Sequence, residues 1–237
     1  MNLYRYINLD KFHNLIRTNE LCFVNPFTCW LDEKEGYLYR LAQSKDKLSK
    51  IGESIGNGKF KGILLEQLQN GCLYKDNAKK DVLDWFGMRC QSWCYEKNSE
   101  KMWKSYIPDG QGVCIEVDSM DIRALEYNGK APELCKVEYV ETLCIKDELK
   151  KALSKTGEFY YPLILQSKLK KYSFEKEYRY YFSLADINDD NIDNIRVKIN
   201  KEIDLFIKTV YFPPNATKDF KNDVMQICDK LNIRFVL

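Results

Sequence analysis

A chain of 237 residues with 45% hydrophobic and 30% charged content has the composition of an ordinary globule, large enough for one sizeable domain or two small ones. Lys+Arg 37 against Asp+Glu 35 gives a net charge of +2, so no overall field marks a nucleic-acid or anionic-membrane binder. The one histidine, His13, excludes every site that needs several imidazoles, including His-rich zinc enzymes, two-histidine metal centres and HNH-type nucleases.

The opening MNLYRYINLD lacks a basic segment followed by an apolar one, and no later stretch approaches the roughly 18 apolar residues that span a bilayer. A cytoplasmic protein with no membrane partner is the expectation. In a reducing compartment its nine cysteines read mostly as small buried hydrophobes, reduced and unbridged. Cys90 and Cys94 have no second pair or histidine at a spacing that completes a zinc site, so no metal is expected.

Alternation predicts a strand over 3–7, and Phe12, Leu15 and Ile16 share one side of a helix over 9–17. A strand over 21–24 follows, then helical segments over 37–48 and 59–69. The IGESIGNG between those two lacks the GK[ST] of a phosphate-cradling loop. Next come a strand over 86–94 and a helix capped by Asn98 or Ser99, with Met102, Trp103 and Tyr106 turned inward. GVCIEVD alternates as a half-buried strand, and 134–140 repeats the pattern. Residues 146–171 are helical in composition, broken near Gly157 and Pro162. The aromatic-rich EKEYRYYFSL is a strand, as are 195–199 and 203–212. Phe220, Val224, Ile227 and Leu231 then mark a helix before a last strand over 233–236. The pattern predicts one α+β domain over 1–237, a mixed or split β-sheet with flanking helices and a helical insertion at about 37–85.

An ordered set of short motifs adds what periodicity does not. LYRY, an NP followed by acidic residues, a CxS strand, MWxxY leading into GVCIEVD, KVEY, the lysine of LQSKL and YSFEKEYR together resemble the bacterial family catalogued as domain of unknown function 2971 (DUF2971). The chain departs from that pattern in having Trp30, Leu31, Asp32 and Glu33 where an aromatic, asparagine, aspartate and proline are usual. It also has Ser105 and Gly110 where the family often has histidines.

In FEKEYR, Glu175, Glu177 and Arg179 at i, i+2 and i+4 fall on one face if the segment is a strand throughout. Two carboxylates so placed repel, which favours one of them keeping a proton where water is excluded. The Glu-x-Glu pair is similar to that of R-S-E ADP-ribosyltransferases. That resemblance implies an ADP-ribosyltransferase-like fold and NAD as substrate, with transfer of ADP-ribose to an acceptor or hydrolysis of NAD. It further implies that Glu177 stabilises the ribosyl cation, that Glu175 orients the acceptor and that Ser92 holds the glutamate. Arg5 would grip the pyrophosphate, Trp103 or Tyr106 would stack on nicotinamide, and Arg179 completes the expected cofactor-binding set. The acceptor stays open among protein, nucleic acid, small molecule and water.

Other readings stand beside this one. Glu175, Glu177 and Arg179 also suit the solvated face of an edge strand, Trp103 and Tyr106 a core, Arg5 a stacked structural arginine and His13 a surface position. PDGQGVCIEVD superficially resembles a PD-(D/E)xK nuclease, in which Asp109, Glu116 and Asp118 would hold Mg²⁺. A non-catalytic module of a bacterial toxin or anti-phage system would instead use clustered tyrosines as interface anchors.

Overall fold

A computed structural model describes residues 1–29, 88–97, 99–142, 167–183 and 194–237. The helices expected at 37–48 and 59–69, the insertion at 37–85, Asn98, the acidic residues after Trp30, and 146–166 lie outside the described residues.

Strand β1 (Asn2–Asn8) ends where the Asn8 side chain accepts a hydrogen bond from the Lys11 amide, capping helix α1 (Leu9–Thr18). Phe12 and Leu15 are the buried stripe of α1, and Asn19, left-handed at φ 51°, closes the helix and turns the chain into β2 (Glu20–Val24). Pro26–Cys29 forms a single helical turn, α2. After β3 (Met88–Cys94) come α3 (Glu100–Tyr106) and β4 (Gly112–Asp118), then the short α4 (Ser119–Arg123). The stretch expected as one strand over 134–140 is two, β5 (Glu133–Lys136) and β6 (Glu138–Val140), which part at Val137 and join different sheets.

Three further expectations are corrected. The end of the expected helix over 146–171 is a strand, β7 (Ser167–Leu169), followed by a 3₁₀ turn over Lys170–Glu175. The strand in EKEYRYYFSL starts at Glu177, as β8 (Glu177–Ser183), because Lys176 adopts the left-handed region at φ 48° and reverses the chain between the two glutamates. After β9 (Asn194–Lys198), the strand expected over 203–212 begins as a helical turn, α5 (Ile203–Phe206), and becomes β10 only at Thr209–Tyr211. Helix α6 (Lys218–Lys230), capped by Thr217, buries Phe220, Val224 and Cys228 before β11 (Phe235–Val236).

The architecture is α+β. Nine strands form one mixed sheet in the order β11-β10-β4-β1-β3-β2-β9, with β8 and then β5 added from β3. β10 and β11 run parallel, and the other pairs of this sheet are antiparallel. β6 and β7 make a separate parallel pair. The sheet is split at β3. One edge of that strand pairs with β8 along its whole length, from Met88↔Ser183 to Cys94↔Glu177. The other edge is shared, Cys94 meeting Tyr4 of β1 and Cys90 meeting Val24 of β2. Between these two contacts β1 and β2 diverge, and the stretch 91–93 of β3 borders the gap.

The main apolar core lies on one face of this sheet, around Phe12, Phe23, Trp93, Ile115, Tyr180 and Phe182. A smaller cluster on the other face joins Tyr4, Tyr6 and Cys94 to Met102, Trp103 and Ile107 of α3 and the segment after it. β4 is therefore buried on both faces up to Glu116, not half-solvated as its alternation suggested. Among the described residues no helix is long and apolar enough to cross a membrane, and seven cysteines are free thiols.

Candidate functional site

The gap between β1 and β2 opens into a cavity of about 620 Å³. Its floor is β3 from Cys90 to Cys94. Arg5, Ile7 and Lys11 line one part, and Tyr106, Lys168, Tyr172, Glu175 and Glu177 line another. Arg5, Ser92, Glu175, Glu177 and Tyr106 thus share one concave wall although the sequence spreads them from residue 5 to residue 177.

They arrive from different sides. Residues directly opposed in an antiparallel pair share a face, and the register sets Cys94 against Glu177 and Ser92 against Arg179. Ser92, Glu177 and Arg179 therefore stand on the face that carries Tyr4 and Tyr6. Arg5 leaves β1 on the opposite face, with Leu3 and Ile7 of the main core, and its guanidinium carbon lies 5.7 Å from the centre of the Trp93 ring. The cavity meets both sets of side chains only because the sheet is split.

At the carboxylate end the charges are tightly paired. Arg179, 1% exposed, donates from Nε to Glu177 Oε1 at 2.7 Å and from Nη2 to Oε2 at 3.1 Å, the forked geometry that suits a guanidinium. Lys168, 6% exposed, donates to Glu177 Oε2 at 3.2 Å and also to Glu175 Oε2. The Tyr106 hydroxyl donates to Glu175 Oε1 at 3.1 Å, and the Ser92 hydroxyl bonds Glu177. β7 is held in place because its partner β6 is tied to the start of β8: the Glu177 amide donates to Tyr139 Oη at 2.9 Å and the Val137 amide to the Glu177 carbonyl at 3.0 Å.

Environment drives the two glutamates apart. Burial pushes both carboxyls up, but at Glu177 the charges of Arg179 and Lys168, with their hydrogen bonds and that of Ser92, overcome it and hold the group down at about 2. At Glu175 burial dominates, Lys168 offsets it in part, and the charge of Glu177 adds to it, so this carboxyl lies above its ordinary value. Desolvation lowers Arg5 to about 10, which leaves it charged at neutral pH. Among the described residues its electrostatic neighbours are the thiols of Cys22, Cys90 and Cys94, with no carboxylate.

Several sequence expectations change here. Glu175 is not on the strand face with Glu177 and Arg179. It ends the 3₁₀ turn, and the left-handed Lys176 brings both carboxylates to the same ammonium from different elements. Arg179 is not a cavity residue for a cofactor, because it is spent on Glu177 beneath the surface. Trp103 also does not line the cavity. It packs edge-on against Tyr6, ring centres 4.7 Å apart, and the same helix turns Met102 and Tyr106 to the cavity instead. Tyr106, 47% exposed, keeps its ring at the mouth.

The solvated-strand reading fails for Glu175, Glu177 and Arg179, all of them buried, whereas His13 is exposed on α1 as expected. Among the described residues no group of three or more His, Cys, Asp or Glu side chains is placed to hold a metal. Asp109 instead accepts from the Gln111 amide, Glu116 from Asn2 and Tyr211, and Asp118 from Lys208.

Lys168 is the site residue that sequence reasoning left without a role. The available signal was the lysine of LQSKL, seven and nine residues before the two glutamates. Residues 102–180 match the family described as "Protein of unknown function (DUF2971)". That segment, roughly a third of the chain, runs from α3 to β8 and contains Tyr106, Lys168, Glu175, Glu177 and Arg179, while Arg5 and Ser92 precede it. No curated protein and no solved structure matches the chain. The segment of the chain that carries the glutamate pair and its counter-ions is thus the part that matches the DUF2971 family.

Proposed function

We propose that the cavity binds NAD and that its glutamate pair cleaves the N-glycosidic bond to nicotinamide. The observation that carries this reading is the pairing, in one cavity, of a carboxylate held ionised (Glu177) with a carboxyl pushed up by burial (Glu175), together with a charged arginine (Arg5) that has no carboxylate partner among the described residues. Two carboxyl groups whose environments separate their proton affinities are the usual basis for dividing stabilising and proton-transfer roles.

The chemistry suits the charges. When the bond from C1′ to the pyridinium nitrogen breaks, its electrons neutralise the ring and leave positive charge on the ribosyl carbon. A fixed anion beside that carbon lowers the barrier without reorganising. Glu177 supplies the anion, Ser92 helps to fix it, and Arg5 meets the pyrophosphate from the other face of the split sheet. The exposed ring of Tyr106 offers the nicotinamide a surface at the mouth. A carboxylate has about four acceptor positions, and Arg179, Lys168 and Ser92 already use most of those on Glu177. An incoming ribose hydroxyl therefore competes with these contacts, among them the 3.2 Å bond from Lys168.

The test is nicotinamide release from NAD, together with the shift in melting temperature that NAD produces. Glu177→Gln should lower release by about 10²–10³ while NAD binding persists. Because this change leaves buried Arg179 without its counter-ion, the variant is assayed well below its own melting temperature, with folding checked by circular dichroism. Wild-type protein that neither binds nor cleaves NAD would remove the reading. Equal rates in wild type and variant would remove Glu177 as the stabilising group.

A further inference from the structure

The identity of the acceptor follows from the surroundings of Glu175. A carboxylate that guides the arginine of a folded partner has to meet a guanidinium brought in from bulk solvent. Glu175 is only 5% exposed, and both of its oxygens are engaged, Oε1 by the Tyr106 hydroxyl and Oε2 by the Lys168 ammonium. A guanidinium entering there would join Lys168 and Arg179 as a third cation within one small buried cluster, and it would be stripped of water to do so. Shedding the water of a third cation is costly, and the lone pairs left on Glu175 would have to offset it beside two cations already paired in the cluster.

Water meets none of these obstacles. It is neutral, it is small beside a cavity of about 620 Å³, and it needs one acceptor lone pair on Glu175. Burial and Lys168 act on that carboxyl in opposite directions and burial prevails, which leaves it a stronger base than an exposed glutamate with the Lys168 ammonium still adjacent.

Resting on the NAD reading above, we propose that water is the acceptor and that the site is a glycohydrolase centre rather than a protein-modifying one. In the step, the bond between C1′ and the pyridinium nitrogen breaks and its electron pair goes to the ring, so nicotinamide leaves neutral. A water oxygen forms the new bond to C1′, its proton passes to the Glu175 carboxylate and then to solvent, and the products are nicotinamide, ADP-ribose and one proton.

The experiment incubates the full chain with NAD labelled in its adenosine half. Separate arms add agmatine, an arginine-rich protein, a single-stranded oligonucleotide, or methanol as a small neutral nucleophile. The expected result is free ADP-ribose in step with nicotinamide, at a rate that agmatine and protein change by less than about twofold, with part of the label diverted to the methyl glycoside by methanol. Glu175→Gln should lower hydrolysis by about 10²–10⁴, the range for a positioned general base, with NAD-induced stabilisation retained. Label carried mainly on agmatine, protein or oligonucleotide would overturn the assignment of water and leave NAD cleavage standing. Undiminished hydrolysis in Glu175→Gln would overturn the role of Glu175. Absence of nicotinamide release in every arm would remove both the acceptor and the reading it rests on.

Discussion

The two faces of the β3–β8 ladder are equally buried and chemically opposite. On one, Trp93, Tyr180 and Phe182 pack with Phe12 and Phe23 in the main core, with Phe23 and Phe182 edge-on at 4.9 Å. On the other, Ser92, Glu177 and Arg179 meet Lys168 and Glu175. Removing apolar surface from water favours folding at about 25 cal/mol per Å². Burying paired charges is often neutral or unfavourable beside an apolar replacement of the same volume. The first face therefore accounts for the stability of the ladder, and the second is what a binding site would retain at the expense of stability.

The sharpest way to break this comparison is to truncate each face. Phe182→Ala should lower unfolding free energy by about 3–5 kcal/mol, the range for a buried phenylalanine, read as a lower denaturant midpoint with an unchanged slope. On the charged face, Lys168→Met alone should destabilise by about 3 kcal/mol because it leaves buried Glu175 without a cation beside Glu177, which keeps Arg179. Combining it with Glu175→Gln removes the stranded charge and should recover more than about 1 kcal/mol of that loss as coupling. Additive losses in the double variant would show that Lys168 contributes through packing and not through charge.

Acid separates the two glutamates within the charged face. Glu175, raised above its ordinary value, takes up its proton in the fold at a pH where the unfolded chain does not, so stability should rise as pH falls from neutrality through its elevated range. Glu177, held at about 2, refuses a proton that the unfolded chain binds near its ordinary value, so stability should fall below about pH 4. The Glu177 contribution is on the order of 3 kcal/mol, fully present above the unfolded pKa and lost as pH approaches 2. Denaturant midpoints measured between pH 7 and pH 2 should pass through a maximum. A monotonic fall from neutrality would show that Glu175 is not raised.

How far the sequence reveals these faces depends on what periodicity encodes. Helices α1 and α6 were legible because Phe12, Leu15 and Ile16, and Phe220, Val224, Ile227 and Leu231, recur at helical spacing, and the structure buries Phe12, Leu15, Phe220 and Val224 of these stripes. The convergence of Arg5, Ser92 and Glu177 came from ordered motifs, since no local pattern states that residue 5 and residue 177 border one gap. Alternation placed Glu177 and Arg179 together but did not say whether their face was wet or covered. For the same reason Glu116 read as solvated when Tyr211 and Asn2 close over it. Lys168 was illegible because its partnership depends on one left-handed residue, Lys176, which bends the chain so that glutamates two positions apart reach the same ammonium.

The smallest expected effect is the most specific to the carboxylate pair. Tyr106→Phe deletes one hydroxyl from a ring that stands 47% exposed, and with it the 3.1 Å bond to Glu175 Oε1. The loss of stability should be about 1 kcal/mol, the ordinary net contribution of a hydrogen bond, because this donor has some access to water. The bond favours the charged form of Glu175, which burial, Lys168, Glu177 and, less directly, Arg179, Tyr139 and Cys94 also influence. Without the hydroxyl the Glu175 carboxyl should move further up. If Glu175 takes the proton from water, the acid limb of the nicotinamide-release profile should shift to higher pH in Tyr106→Phe, and the rate on the alkaline plateau should fall much less than in Glu177→Gln. An acid limb that stays fixed would mean that the Tyr106 hydroxyl does not act through Glu175.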